Sequence, residues 1–231
     1  MIIQAPTLKI PPLENGDLLS RAEFERRYAA MPHVKKAELI EGIVYMSSPL
    51  RFEPHAEPHA NLIIWLGNYK IVTPGVRLGD NPTVRLDLDN EPQPDAVLLI
   101  DSERGGQTRL NDQGYIEGAP ELVAEISAST ATIDLRDKKR VYRRNGVQEY
   151  IVWQVMDARL DWFCLQDQDG EYIGLEPDAE GIIHSRVFPG LWLGVRALLA
   201  GDMVLVNQIL QRGLLSVEHQ QFVQDYSMTA K

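Results

Sequence analysis

The chain has 231 residues, of which 44% are hydrophobic and 24% are charged, and its formal net charge is −10. This composition is that of an ordinary globular protein and excludes disordered, collagen-like and coiled-coil chains. The single cysteine, Cys164, excludes a disulfide framework or a thiolate metal cluster within the chain and favours a reducing compartment. The negative net charge argues mildly against a protein that binds nucleic acid with its whole surface.

The N-terminal sequence lacks the basic start and apolar run that are typical of a secretory signal. The longest apolar stretches, 62–66 and 197–206, are too short to cross a membrane. We therefore expect a cytoplasmic protein with no membrane segment. Residues 1–19 contain three prolines and no periodic pattern, which predicts an arm that lies on the body or on a partner subunit.

The first elements after the arm are predicted to be a helix, a hairpin and a second helix. Ser20 followed by Glu23 predicts a capping box that opens a helix over residues 21–31. Two short extended runs on either side of a Glu-Gly pair predict a hairpin. The apolar spacing after Pro58 is typical of a buried helix.

From residue 75 the pattern changes to short strands. Two continuous apolar runs, 94–100 and 121–127, are typical of strands that are covered on both faces of an α/β sheet. A basic helix that ends at Gly146, two further strands and a helical segment over 196–226 follow them. The order of elements predicts an α/β fold in which a mixed central β-sheet is flanked by helices.

The predicted elements divide the chain into three parts: an N-terminal arm (1–19), a core domain (20–196) and a C-terminal helical extension (197–231). The arm and the extension carry apolar residues for which a single domain offers few places of burial. These residues are Ile2, Ile3, Leu8, Ile10, Leu205, Ile209, Leu210 and Leu214. We therefore predict a homodimer.

Two acidic residues in the apolar runs are the first candidates for chemistry. Asp95 opens the first run and Glu125 lies near the end of the second. Carboxylates are hard oxygen ligands, and two of them on neighbouring strands can share a Mg²⁺ or Mn²⁺ ion. The structural alternative is that Asp95 caps a strand end and Glu125 pairs with an arginine. A charge within an apolar strand is costly without a partner, which favours a shared site.

The basic helix supplies the next candidates. Residues 134–144 contain six basic and two acidic side chains. Lys138 and Lys139 can both lean toward the face that Leu135 and Tyr142 define, where an ammonium group could orient a water or neutralise a phosphate. A solvated charge run and a helix that docks on an acidic partner are the alternatives.

A histidine pair precedes the second helix. His55 and His59 are four residues apart, a spacing that can bind a metal on a helix. Because Pro58 between them predicts a break in the helix, we interpret His59 as a helix-start residue or a phosphate contact.

Several segments resemble a restriction endonuclease-like family that is abundant in cyanobacteria and belongs to the PD-(D/E)-x-K nuclease superfamily. They are AELIEG, SSP followed by His59, QPDAVLL, PELVAEISAST, the pattern D-x-x-x-K-x-x-x-Y-x-x-x-GVQEY and the tail FPGLWLGVRALLAGD. The resemblance extends from about residue 18 to the C-terminus and implies a restriction endonuclease-like fold.

The resemblance also implies roles for individual residues. Asp95 matches the aspartate of the PD motif and Glu125 matches the second acid. Ser127 stands where the superfamily has its lysine, and Lys138 matches a catalytic lysine that has moved into the following helix. Helical periodicity alone does not choose Lys138 over its neighbour. Glu38 matches an early glutamate that the superfamily uses as an additional metal or water contact.

The resemblance implies a nuclease that depends on Mg²⁺ or Mn²⁺ and hydrolyses phosphodiester bonds in DNA, with Asp95 and Glu125 as metal ligands. The complete set of two acids and a lysine favours this function. The alternative is a non-catalytic dimeric binding or regulatory protein that retains the nuclease fold. The acidic net charge favours that alternative, because release of counterions from DNA needs many basic contacts.

Overall fold

The computed structural model describes residues 9–46, 51–128 and 130–228. The helices in chain order are α1 (Arg21–Ala29), α2 (Glu57–Val72), α3 (Ala131–Ile133), α4 (Lys139–Asn145), α5 (Val195–Leu199), α6 (Met203–Leu214) and α7 (Val217–Met228). The strands in chain order are β1 (Ala37–Ile40), β2 (Ile43–Met46), β3 (Val76–Asp80), β4 (Val84–Arg85), β5 (Ala96–Ile100), β6 (Arg109–Leu110), β7 (Ile116–Glu117), β8 (Leu122–Ser127), β9 (Glu149–Gln154), β10 (Arg159–Leu165), β11 (Tyr172–Gly174), β12 (Ile182–His184) and β13 (Trp192–Gly194).

The central sheet has six strands in the order β11-β10-β9-β8-β5-β3. Strands β8 and β9 run parallel, whereas the other neighbours in the sheet are antiparallel. The predicted mixed sheet flanked by helices is therefore confirmed. Every residue of β5, β8 and β9 is buried, so the continuous apolar runs of the sequence do form the middle of the sheet.

Each face of the central sheet is covered by helices. On one face, α2 and the C-terminal helices pack together, and Val206, Leu210 and Leu214 join the same core as Trp65 and Leu66. On the other face, Tyr142 of α4 packs with Tyr150 and with the buried side chains that β5 and β8 project to that face. The C-terminal extension is thus packed against the main core.

This packing corrects one argument for a dimer. The apolar residues Ile209, Leu210 and Leu214, for which a single domain was expected to offer few places of burial, are all buried by the chain itself. Leu205 is 42% exposed and Ile10 of the arm is also 42% exposed. Ile2, Ile3 and Leu8 lie outside the described residues.

The β1–β2 hairpin forms a smaller unit beside the sheet. Its strands pair from Ala37↔Met46 to Ile40↔Ile43, so that Glu41 and Gly42 form a two-residue turn with positive φ angles of 53° and 76°. Positive φ at both central residues is typical of the tight turns that match strand twist. Leu13 of the arm is buried in the small core of this unit, so this part of the arm lies on the body.

Two helix starts differ from the sequence prediction. Ser20 precedes α1, but its side chain does not cap the helix, and Glu23 instead pairs with Arg26 and Arg27 at 2.7 Å. Pro58 does not interrupt the helical backbone between His55 and His59, because it lies in the first turn of α2, where a missing N–H costs nothing. A π-helical turn over Phe52–Ala56 leads directly into α2.

Two helix ends differ as well. Helix α1 ends at Ala29 rather than at residue 31. The segment predicted as one C-terminal helix consists of three helices, α5, α6 and α7. Within the described ranges, none of the helices combines the length and the apolar character needed to cross a membrane.

Candidate active site

The two acids singled out from the sequence lie opposite each other on neighbouring strands. Ala96 of β5 pairs with Ala124 of the antiparallel strand β8, which sets Asp95 opposite Glu125. Residues directly opposite in an antiparallel pair project from the same face of the sheet, about 5 Å apart at Cβ. Each of the two acids is only 3% exposed. The structure therefore brings two buried carboxyl groups together.

The carboxyl group of Asp95 is held by three partners. Its Oδ2 accepts the backbone N–H of Ile126 at 2.8 Å and lies 3.4 Å from His55 Nε2, and its Oδ1 accepts Lys36 Nζ at 3.2 Å. Burial alone would raise the pKa of Asp95, but the hydrogen bond from His55 and the charge of Lys36 hold it below its usual value. Asp95 is therefore an anion at neutral pH.

The carboxyl group of Glu125 receives two donors on one oxygen. Lys138 Nζ and Tyr142 Oη each donate to Glu125 Oε1 at 2.9 Å. Burial and the nearby charges of Asp95 and Asp134 outweigh the charge of Lys138 and raise the pKa of Glu125 to about 8. The site thus holds more carboxyl groups than its cations neutralise.

The ammonium group of Lys138 points toward the carboxyl groups of the site, whereas that of Lys139 points away from them. Lys138 Nζ lies 2.8 Å from Glu38 Oε1, 2.9 Å from Glu125 Oε1 and 3.8 Å from Asp134 Oδ1. Burial would lower the pKa of Lys138, but the three carboxyl groups raise it well above the usual value, so the group remains an ammonium. Lys139 Nζ instead lies 3.4 Å from the ring centroid of Phe163.

The helical segment around Lys138 changes from π-helical to α-helical geometry directly after this residue. The backbone over Asp134–Lys138 is a π-helical turn between the short helix α3 and helix α4. Asp134 and Lys138, at the two ends of this turn, are both buried. Ser127 and Thr130 donate hydrogen bonds to Asp134 Oδ2, and Tyr150 Oη donates to the Asp134 backbone oxygen at 3.0 Å. Ser127 therefore supports the helix start through Asp134.

Glu38 joins the site from the β1–β2 hairpin. Besides its contact with Lys138, its Oε1 accepts the backbone N–H of Gln93 at 2.8 Å. The structure thus places all four residues selected from the sequence in one buried cluster, in which Lys138 connects Glu38 to Glu125, and Glu125 faces Asp95 across the strands.

Sequence reasoning missed three members of this cluster. Lys36 lies two residues before Glu38, and that spacing in an extended chain could have indicated a shared face. Asp134 was counted only as part of a charge run. His55 was discounted because of Pro58, yet its ring lies 5.9 Å from that of His59. His59 Nε2 is 3.0 Å from the backbone oxygen of Asp95 and 3.1 Å from Asp80 Oδ1.

The basic helix does not present a free row of cations. Arg140 and Arg144 both pair with Glu41 of the hairpin turn, at 3.0 and 2.7 Å. Arg143 pairs with Glu171. Acidic side chains of the same chain thus neutralise much of the positive charge that the sequence suggested for phosphate binding. Arg140, Arg143 and Arg144 thus join this helix to neighbouring elements.

The donor set suits a hard divalent cation in charge and in atom type. Four carboxyl groups (Glu38, Asp95, Glu125 and Asp134) face two ammonium groups (Lys36 and Lys138), which leaves a formal charge of −2 once Glu125, whose pKa is raised to about 8, has lost its proton. Carboxylate oxygens are the ligands that Mg²⁺ and Mn²⁺ prefer. In the part of the chain that the structure describes, no three acidic, histidine or cysteine side chains are already arranged around one metal position.

Comparisons with known proteins agree with this architecture. A sequence model of the Uma2 family, described as putative restriction endonuclease, matches residues 21–196. A crystal structure of a putative nuclease belonging to DUF820 from Anabaena variabilis is similar in fold, with a TM-score of 0.56 and 16% sequence identity. The similarity covers 76% of this chain and 96% of that one. No curated protein matches the chain.

Proposed function

The chain belongs to the Uma2 family of restriction endonuclease-like proteins, and we propose that it is a nuclease that hydrolyses phosphodiester bonds in DNA with Mg²⁺ or Mn²⁺. The observation that carries the proposal is the buried cluster in which Asp95 and Glu125 share a face of the sheet and Lys138 contacts Glu125 at 2.9 Å. Its surplus of negative charge is the feature that a divalent cation would neutralise.

Asp95 and Glu125 are the residues that would hold the metal. A divalent ion bound there supplies Lewis acidity to the phosphate and lowers the pKa of water. Asp95 is already ionised, and its three partners fix its orientation. Lys138 and Tyr142 both donate to Oε1 of Glu125 and thereby fix the orientation of the whole carboxyl group, including Oε2.

Lys138 is the candidate for stabilising charge on the scissile phosphate. Its ammonium is retained by the carboxyl groups around it, so it carries a full positive charge beside the proposed metal ligands. A fixed cation at the point where negative charge develops lowers the barrier of phosphoryl transfer. Glu38, whose Oε1 also accepts the backbone N–H of Gln93, holds this ammonium in place from the hairpin side.

The alternative function is a dimeric binding or regulatory protein that has kept the nuclease fold. Two observations favour it: the net charge of −10 and the pairing of Arg140, Arg143 and Arg144 with acidic side chains. Both weaken the attraction for a polyanion. The complete cluster of acids and lysine favours the nuclease, because a binding protein has no need for uncompensated buried carboxyl groups.

Incubation of the purified full chain with supercoiled plasmid separates the two functions. We expect nicked or linear products with Mg²⁺ or Mn²⁺ and none with EDTA. Glu125→Gln keeps the size of the side chain and removes a ligand charge, so it should abolish cleavage while the circular dichroism spectrum stays that of the wild type. Intact plasmid with the wild-type protein and both metals would instead support the binding protein.

A further inference from the structure

A cavity of about 740 Å³ opens beside the carboxyl cluster. Its walls are α1, the segment that follows α1, strand β4 and the turn between β6 and β7. The residues that matter for its chemistry are Tyr28, Asn81, Arg85, Gln93, Gln113 and Tyr115. A volume of this size is within the range of small-molecule binding sites.

We propose that this cavity binds a nucleobase of the DNA substrate beside the scissile phosphate and sets a base preference at that position. The inference rests on the proposed nuclease function for its biological meaning. The chemistry of the cavity itself supports it independently, as follows from the position, the charge and the side chains of its walls.

Two residues of the cavity wall, Asn81 and Gln93, contact members of the carboxyl cluster. Lys36 Nζ lies 3.2 Å from Asp95 Oδ1 and 3.4 Å from Asn81 Oδ1. On the other side, the backbone N–H of Gln93 donates to Glu38 Oε1. The cavity wall is therefore directly hydrogen-bonded to the proposed site, and on this ground we place the base in the cavity when the phosphate is at the cluster.

Charged groups of both signs line the cavity: Arg26, Lys35 and Arg85 on one side of the balance, Glu25 and Glu91 on the other. Around Arg85 the charges cancel, because its Nε lies 3.2 Å from Glu25 Oε1 and 3.3 Å from Glu91 Oε2. A simple anion would meet these two carboxyl groups, and a simple cation would meet the guanidinium group. The part of a ligand that fits beside Arg85 is therefore neutral and polar at its edge.

The side chains of the cavity suit a planar ligand. The ring of Tyr115 is 38% exposed, and the guanidinium carbon of Arg85 lies 4.3 Å from its centroid. The amides of Gln93 and Gln113 are partly used within the chain: Gln93 Nε2 donates to Thr83 Oγ1 at 3.1 Å, and Gln113 Oε1 accepts Arg85 Nη1 at 3.3 Å. The amide oxygen of Gln93 and the amide nitrogen of Gln113 add an acceptor and a donor to the same walls. A nucleobase combines a flat surface with a hydrogen-bonding edge that can use both.

Titration of the full chain with each of the four deoxynucleosides in EDTA tests the cavity without any cleavage. We expect at least one nucleoside to bind in ligand-observed NMR, and Tyr115→Ala to raise its Kd roughly five- to a hundredfold through loss of stacking. Gln93→Leu should change the order of affinity among the four bases. Leu215→Ala, which truncates a 75% exposed side chain between α6 and α7, is the matched control and should leave every Kd unchanged.

The outcomes separate this inference from the proposed function. Failure of all four nucleosides to bind, or an unchanged Kd in Tyr115→Ala, would overturn the cavity assignment even if the plasmid is cut and Glu125→Gln is inactive. Nucleoside binding that Tyr115→Ala weakens, together with an uncut plasmid, would support the cavity and reject the nuclease. If both hold, sequencing of cleaved ends should show a base preference that Gln93→Leu alters.

Discussion

Lys138 stabilises the fold as well as being the candidate catalytic cation. Its side chain is almost fully buried and contacts Glu38 and Glu125 at 2.8 and 2.9 Å. Judged by apolar volume alone, Lys138→Ala would leave folding intact, because the substitution removes no large apolar group. The structure changes that expectation, since the substitution would leave two buried carboxyl groups without their shared cation.

We predict that Lys138→Ala lowers the free energy of unfolding by about 3–5 kcal/mol, the usual cost of removing one partner from a buried ion pair. Lys139→Ala removes a partly exposed contact with Phe163 and should cost less than about 1 kcal/mol. Urea denaturation of both variants at pH 8 measures the difference. Equal, small losses would show that water reaches Lys138 and screens the cluster.

Glu149 shows how a buried carboxyl group can serve structure alone. It accepts hydrogen bonds from the backbone N–H groups of Arg186 and Val187 and from the side chains of Ser185 and Trp162. Burial nevertheless raises the pKa of Glu149 to about 7, because it outweighs these hydrogen bonds. The carboxyl group thus joins β9 to the segment that follows β12.

This pKa predicts a fall in stability with rising pH. Between about pH 4.5 and 7 the folded chain keeps the proton of Glu149, whereas the unfolded chain has released it, so unfolding becomes easier as pH rises through this window. The contribution that is lost is about 3 kcal/mol. Urea denaturation from pH 4.5 to 8 should show a shallower slope for Glu149→Gln than for the wild type. A parallel slope would contradict the prediction.

At the scale of elements, strands were more predictable than helix geometry. The apolar runs that became β5 and β8 are recognisable because both faces of a central strand are buried, and the acids within them indicated the site. The π-helical turn over Asp134–Lys138 was not predictable, because the hydrogen bonds to Asp134 come from residues on other elements. Long-range partners of this kind leave no local pattern.

The helix starts differ for local reasons instead. The motif at Ser20 and Glu23 matches a capping box, but two arginines within one turn offer the glutamate stronger, charge-assisted partners. Pro58 lies in the first turn of its helix, where a proline is compatible with helical backbone. Local motifs therefore indicate that helices begin here, while competing contacts within the same turn decide how they begin.

Two helix starts give a matched prediction about capping. The side chain of Asp202 accepts the backbone N–H of Leu205 at 3.0 Å and caps α6, whereas the side chain of Ser20 does not cap α1. Asp202→Ala should therefore cost about 1 kcal/mol of unfolding free energy. Ser20→Ala should stay within about 0.5 kcal/mol of the wild type. Thermal and urea denaturation of the two variants check this, and a larger loss for Ser20→Ala would contradict it.

At the scale of the whole molecule, charge and assembly are linked. The chain carries a net charge of −10, and Arg140, Arg143 and Arg144 of the basic helix pair within the chain. Both features weaken the attraction of a single copy for DNA. Two copies would bring two carboxyl clusters and two metal ions to one duplex, which suits an enzyme that cuts both strands.

Exposed apolar residues on α2 and α6 form the surface through which we predict such pairing. Asn68 of α2 donates a hydrogen bond to Asn207 of α6 at 3.1 Å, which joins the two helices at the surface. Ile64 and Ile71 lie on the same face of α2 as Asn68, and Val204 lies one turn before Asn207. Ile64, Ile71 and Val204 are 52%, 75% and 70% exposed. A two-fold axis through this surface would bury the same residues on both copies.

We predict that light scattering of the purified chain at micromolar concentration gives twice the mass of one chain. Ile71→Glu places a charge in the centre of the proposed contact, and its desolvation cost should convert the protein to a monomer. Leu88→Glu is the matched control, because Leu88 is also 75% exposed but lies in the loop after β4, away from both helices. A monomer mass for the wild type, or a dimer that survives Ile71→Glu, would contradict pairing through this surface.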